Sequence, residues 1–367
     1  MKKSLILFTI DLVAAAVIFV FVWVFNYALP QKGVRTQSFV GSENADLAST
    51  GTYENGSYTI SKFQDKLKNI VQDIQNSQKS SGLKTTNARL DNKDWRQKFA
   101  DKFSKEVIST PTMYSSPNVS IKLTYNQYDS GSLDQSDSGK HTKYGTSISY
   151  TLADIYVGDI TCLQTAFAKD TYGVGYSEKL SDMSAQMKSI LAVNGDSYSN
   201  NRHKDNGTII RNGTIYRNAK SGEETCVLNW DGTMDIYQPG TLDEQTLIDR
   251  GAYQSWIFGP SLLDSSGKAK TSFWTWDYIR QSHPRTAIGY FEPGHYCLLV
   301  VDGRQPSSRG MFLDEMAKVF ENLGCKVAYN LDGGHCSFMT LKDQVVSHPY
   351  KPEHEVTDGI FITEGLM

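Results

Sequence analysis

Tyr296-Cys-Leu-Leu-Val-Val301-Asp302-Gly303 and Val327-Ala-Tyr-Asn-Leu331-Asp332-Gly333-Gly334 decide how this chain folds. Each stretch is a short apolar run ending in Asp-Gly, the second interrupted only by Asn330. Short apolar runs closed by turn residues read as strands buried on both faces. Between them Leu313, Met316, Ala317, Phe320 and Leu323 recur at helical spacing, and Gly324 stands where a helix stops in a left-handed conformation. Strand, helix and strand make a βαβ crossover, in which the two strands run parallel whether or not they are immediate neighbours. Their carboxyl ends therefore reach one rim, and that rim carries Asp302 and Asp332.

Upstream the texture is that of hairpins. Val119–Tyr125 and Ile148–Val157 alternate around a polar loop over 126–146. Ser181–Ser189 reads as a short helix feeding the strand Ile190–Val193, which ends in Asn194-Gly195-Asp196. Thr208–Arg211 and Thr214–Arg217 flank Asn212-Gly213, a pair suited to a type I′ turn, and Val227–Trp230 and Thr233–Tyr237 flank Asp231-Gly232 in the same way. The expected fold class is α+β, a mixed sheet with hairpins and a C-terminal βαβ unit, preceded by one transmembrane helix and a helical stalk.

That transmembrane expectation comes from the other end of the chain. After Met1-Lys2-Lys3, the run Ser4–Leu29 holds one charged residue, Asp11. A bilayer core needs roughly 20 apolar residues as helix, and flanking lysines favour the cytoplasmic side. A cleaved signal peptide is the rival reading. The run is longer than the usual ~7–15-residue apolar core of such a signal, and 26–30 offers no A-x-A site. The expectation is a single-pass protein of the cell membrane, in contact with lipid through residues 4–29. Its N-terminus would be cytoplasmic and its C-terminal domain extracellular. Three parts follow: an anchor at 1–30, a linker and helical stalk at 31–116, and the main domain at 117–367. The stalk holds a helical stripe of Ile60, Phe63, Leu67, Ile70, Val71 and Ile74, then a patch around Trp95, Phe99 and Phe103.

A formal charge of −3 shows no basic excess to suggest a nucleic-acid partner. The five cysteines are widely spaced, without a C-x-x-C pair, so neither a zinc ribbon nor a dense disulfide scaffold is expected. Two aspartates on one rim could serve as acid and base, as nucleophile and acid, or as ligands of a divalent cation. Against this, Asp-Gly after a strand is also an ordinary turn. Gly333-Gly334 allows close backbone approach, and Arg285 and Arg304 suit a phosphate or carboxylate. His335 and Cys336, as neighbours, point to opposite faces of an extended segment and do not form a catalytic pair.

Taken together, the ordered segments resemble the phosphodiester glycosidase family. The resemblance rests on Ile190–Asp196, Gly207–Gly213, Pro284–Gly289, Leu299–Arg304, Gly310–Ala317, Tyr329–Gly334 and Val356–Ile362, and covers roughly Pro117 to the C-terminus. It implies hydrolysis of a glycosyl-1-phosphodiester linkage in a cell-surface polysaccharide or exopolysaccharide. Carried over by position, it points to Asp332, Asp302 and Arg285 as catalytic residues. Asn194, Gly195, Asp196, Arg304, Gly333, Gly334, His335 and Ser337 are the substrate-binding candidates. The chain departs from the family where Gly333-Gly-His-Cys-Ser337 replaces a glycine- and serine-rich run, and where Phe312 takes a helix-capping position often held by Thr. A catalytically inactive glycan-binding module, with Phe273-Trp-Thr-Trp276 stacking on sugars, and a metal-dependent phosphoesterase are the alternative readings.

Overall fold

The computed structural model describes residues 2–23, 33–36, 60–90, 95–132, 144–200 and 203–366. Helices α1 (Lys2–Trp23) and α2 (Ile60–Ser80) come first. Strands β1 (Ile108–Thr110), β2 (Met113–Ser115), β3 (Val119–Asp129), β4 (Ser147–Val157) and β5 (Leu163–Phe167) follow. Next are α3 (Leu180–Gln186), β6 (Leu191–Asn194), β7 (Ile209–Arg211), β8 (Thr214–Arg217), β9 (Thr225–Asn229) and β10 (Met234–Tyr237). The remainder comprises α4 (Glu244–Arg250), β11 (Ala252–Trp256), β12 (Arg285–Glu292), β13 (His295–Val301), α5 (Leu313–Leu323), β14 (Val327–Asn330), β15 (Met339–Leu341), β16 (Gln344–Val345) and β17 (Asp358–Ile362).

A seven-stranded sheet has the order β14-β12-β13-β4-β3-β2-β1, and a five-stranded sheet the order β16-β15-β6-β17-β5. β9 pairs with both β10 and β11 in a smaller sheet, and β7 with β8 in another. Successive side chains of β13 explain its unbroken apolar sequence. Leu298 and Val300 enter the main core beside Leu191, Val193, Ile360 and Ile362, while Cys297, Leu299 and Val301 pack against Leu313, Met316, Ala317 and Phe320 of α5. Full burial of each large apolar side chain contributes ~1.5–3 kcal/mol, so the α5 face and the inter-sheet core are both substantial.

The crossover is present, but the sheet is not mixed. β12 pairs antiparallel with β13 on one side and with β14 on the other. β13 and β14 therefore run parallel with one strand between them, and never share a hydrogen-bond ladder. Every named strand pair among the described residues is antiparallel.

The segment read as a stalk is part of the folded body. Leu67, Val71, Trp95 and Phe99 belong to the main core cluster, and β1 and β2 extend the seven-stranded sheet. A boundary at 117 thus cuts through that sheet. Ile60 and Phe63, named in the same stripe, lie where side chains are outside the described residues. At the extreme N-terminus α1 forms over the expected run, yet among the described residues no helix is long and apolar enough to cross a membrane. The side chains of 1–11 are outside the described residues.

Two local devices differ from expectation. Asn212 and Gly213 both have positive φ, +51° and +77°, as a type I′ turn requires. At Asp231-Gly232 only Gly232 is left-handed, and Asn229 N donates to Thr233 O around a longer turn. At the start of α5, Phe312 offers no side-chain cap. Instead Glu315 accepts the Phe312 N–H at 2.9 Å and is itself held by Arg309 at 2.5 Å. Asp314 and Glu315 also put acidic charge at the positive end of the helix dipole.

Candidate active site

β12 brings its first residue to the rim where β13 and β14 bring their last. The registers Arg285↔Val301 and Ala287↔Asn330 set Pro284-Arg285 between Asp302 and Asp332. Two strand spacings separate the aspartate backbones, on the order of 10 Å. The five-stranded sheet closes the rim from one side. Asp332 N donates to Gly195 O at 3.1 Å, Asn194 Nδ2 donates to Asp332 O at 2.7 Å, and Thr286 Oγ1 donates to Asn194 Oδ1 at 2.6 Å. Asn194 therefore bridges the sheets and fixes the Asp332 backbone. Gly333 is required by space: a Cβ there would lie 2.8 Å from Pro284 O.

Asp332 is half-buried, and its Oδ1 accepts the Gly333 N–H at 2.9 Å. Burial raises its pKa to about 6, opposed by hydrogen bonds from Cys336, Gly333 and Ser197 and reinforced by the charge of Asp358. Cys336 is a thiol donor to this carboxylate. Burial, with Asp332 next, pushes its pKa well up, which removes it as a thiolate nucleophile.

Asp302 has different partners. Ser149 Oγ donates to its Oδ2 at 2.8 Å and His348 N to its Oδ1 at 2.8 Å, while His348 Nδ1 lies 3.4 Å from Oδ2. Burial raises its pKa as well. Asp302 and Asp332 thus share the rim without sharing a hydrogen-bond partner among these contacts. Among the described residues no group of three or more His, Cys, Asp or Glu could hold a metal ion. Two carboxylates a strand apart are a poor donor set for a cation, and no step is derived through one.

The two arginines are held differently. Arg285 is buried, with Nε donating to Met311 O at 3.1 Å and Nη2 to Ile279 O at 2.6 Å and Gln281 O at 2.5 Å. It clamps the 279–281 segment, and those two nitrogens are committed to carbonyls. Arg304, half-buried and at φ +57°, lies against Gly334, whose added Cβ would meet Nη2 at 3.3 Å. Its Nη1 donates to Tyr350 Oη at 2.8 Å and its Nη2 to Tyr278 Oη at 3.3 Å. His283 Nε2 is 2.8 Å from Tyr278 O, which makes it the donor and leaves Nδ1 to accept from Arg304 Nη2 at 3.2 Å. Neutral acceptors hold this guanidinium, so its charge is left for an anion.

Asp196 faces away from the rim. It is fully buried, accepts the N–H groups of Ile257 and Phe258, each at 2.7 Å, and lies 3.9 Å from Arg211 Nη2. Arg211 Nη2 pairs with Asp358 at 2.5 Å, and burial raises the pKa of Asp196. An added Cβ at Gly195 would meet the Asp358 carboxylate at 2.7 Å, so this network also sets the backbone that holds Asp332. His335 stacks on His354 at 4.7 Å and bonds Pro352 O at 2.8 Å. Ser337 is buried and its Oγ has no hydrogen-bond partner among the described residues. Sequence reasoning missed Tyr278, His283, Tyr350, Ser149, His348 and Ser197. It also gave no role to Arg211 and Asp358, although both lie inside the motifs quoted for the family.

A carboxylate of raised proton affinity, on a strand-end rim with a guanidinium that has no carboxylate partner among the described residues, is equipment for hydrolysing an anionic ester. The phosphodiester glycosidase family model matches residues 187–363, and over that segment the resemblance read from the motifs is shown. A Bacillus subtilis relative, the SPbeta prophage-derived uncharacterized protein YomE, is 30% identical over 193 residues, covering 52% of this chain and 29% of that protein. The chain thus spans less than a third of that relative. The zebrafish N-acetylglucosamine-1-phosphodiester alpha-N-acetylglucosaminidase catalytic domain, auto-inhibited by its pro-peptide, is similar at 19% identity and a TM-score of 0.46, over 68% of this chain and 89% of that one. A hypothetical protein from Synechocystis gives 12% identity and a TM-score of 0.48, over 69% and 64%.

Proposed function

We propose that this chain hydrolyses a glycosyl-1-phosphodiester linkage in a cell-surface glycan or exopolysaccharide, releasing a sugar and a phosphomonoester. The observation that carries this is the placement of Asp332 and Arg304 beside Gly333-Gly334, the first preceding the glycines and the second lying against Gly334. Arg304 takes an oxygen of the phosphodiester, where its charge has no carboxylate competitor in the contacts described. Asp332, ionised above about pH 6, takes a proton from water attacking the anomeric carbon. A phosphomonoester leaves readily, so a weakly placed acid suffices, and Asp302 holds the opposite end of the rim. Aspartate backbones two strand spacings apart, on the order of 10 Å, suit the ~6.5–9.5 Å carboxyl separation of inverting enzymes better than the ~5–5.5 Å of retaining ones.

The decisive experiment offers sugar-1-phosphodiesters to the full chain in heavy-oxygen water. Label in the sugar supports the mechanism; label in the phosphate, or an undiminished rate in Asp332→Asn, sinks it. Saturable glycan binding without turnover by the wild-type chain would favour the binding-module reading.

Membrane attachment through residues 4–29, with the domain outside, belongs to the same proposal. It is supported by the length of the run, in which Asp11 is the one charged residue, and by the exposed Leu12, Val17, Phe19 and Phe21 of α1. A chain beginning at Gln31 is then released from membranes in the soluble fraction; retention on the membrane would count against the anchor.

A further inference from the structure

Trp274, Trp276 and Tyr278 are 79%, 57% and 51% exposed, an unusual concentration of solvent-exposed aromatic surface for five consecutive residues. The segment is not a loose loop end. Phe273 packs against the α5 core cluster, Ile279 is buried within it, and Arg285 grips the carbonyls of Ile279 and Gln281. Tyr278 touches the candidate site directly, through its hydroxyl on Arg304 and its carbonyl on His283.

We propose that Trp274 and Trp276, continuing from Tyr278, form a platform for further sugar units of a glycan chain whose phosphodiester sits at Arg304. This rests on the hydrolytic reading above and adds that the substrate is polymeric. The span from 274 to 278 is at most roughly 14 Å, enough for roughly two or three pyranose rings in a row. Indole faces take the C–H faces of such rings, leaving the hydroxyls at the edges for polar partners. Asp277, between Trp276 and Tyr278, 96% exposed at its side chain and 3.4 Å from Arg280 Nη1, is one such acceptor.

The test uses the full chain, a Trp274→Ala/Trp276→Ala variant and a Trp274→Phe/Trp276→Phe variant. The probes are poly(N-acetylglucosamine 1-phosphate), its single-unit methyl phosphodiester, and phosphatidylcholine–phosphatidylglycerol vesicles. The platform predicts that the alanine pair weakens polymer binding on the order of tenfold or more, that the phenylalanine pair recovers most of it, and that single-unit turnover is unchanged. Polymer binding that is absent in the wild type or equal in all three proteins overturns it, as does loss of vesicle binding in place of polymer binding. If the polymer binds through the tryptophans but no sugar is released from either probe, the hydrolytic reading fails and the platform stands.

Discussion

Asp332 carries a charge that its surroundings disfavour, and this gives two expectations of opposite sign. Its folded pKa of about 6 exceeds the ~3.9 of an unfolded aspartate, so between those values the folded state binds the extra proton. The contribution to stability is fully present below about pH 4 and is lost as pH rises through 6. Asp332→Asn should therefore melt above the wild type at pH 8 and lose that advantage at pH 4, while hydrolysis falls about 10²–10⁴-fold. Thermal denaturation and initial rates across that range check both. Arg304→Gln should raise KM by roughly 10–100-fold, the worth of a charge-assisted hydrogen bond, with a smaller change in kcat. At this scale the aspartates were legible because each closes an apolar run. Tyr278, His283 and Tyr350 were not, because only folding brings residues from separate segments around one guanidinium.

Elements were legible where periodicity was strong and misjudged where a neighbour substituted for a missing local signal. Phe312 predicted a weak start to α5. The tertiary pair Arg309–Glu315 supplies the restraint instead, with Arg309 fully buried and its other bonds reaching Ser130, Ser132, Ser282 and Gly310. Glu315→Ala removes both the Phe312 N–H acceptor and the partner of a buried cation. The expected cost is about 3 kcal/mol in chemical denaturation, within the range for breaking a buried pair; a loss below about 0.5 kcal/mol would mean that water replaces it. Asp231-Gly232 shows the opposite error. The dipeptide suggested a two-residue turn, but left-handed geometry at Gly232 alone gives a longer one.

The whole molecule binds its pieces more tightly than the sequence implied. Composition marked 31–116 as linker and stalk, because amphipathic stripes do not reveal what they pack against. Since Leu67, Val71, Trp95 and Phe99 lie in the main core and β2 covers the edge of β3, a chain starting at Asn118 should aggregate or remain unfolded. One starting at Gln31 should give a cooperative melt and a single species on gel filtration. The crossover was read correctly, but its middle strand was invisible, since nothing in β13, α5 or β14 names what lies between them. That middle strand governs more than packing. On the proposed mechanism, by holding the two aspartate backbones two strand spacings apart, β12 would tie the stereochemical outcome to the chain's winding as well as to the rim side chains. On that mechanism, rim substitutions would alter rate and fit while leaving the spacing of the two backbones untouched. Descendants of this architecture would then diversify in the sugars they accept long before they diversified in the handedness of what they release.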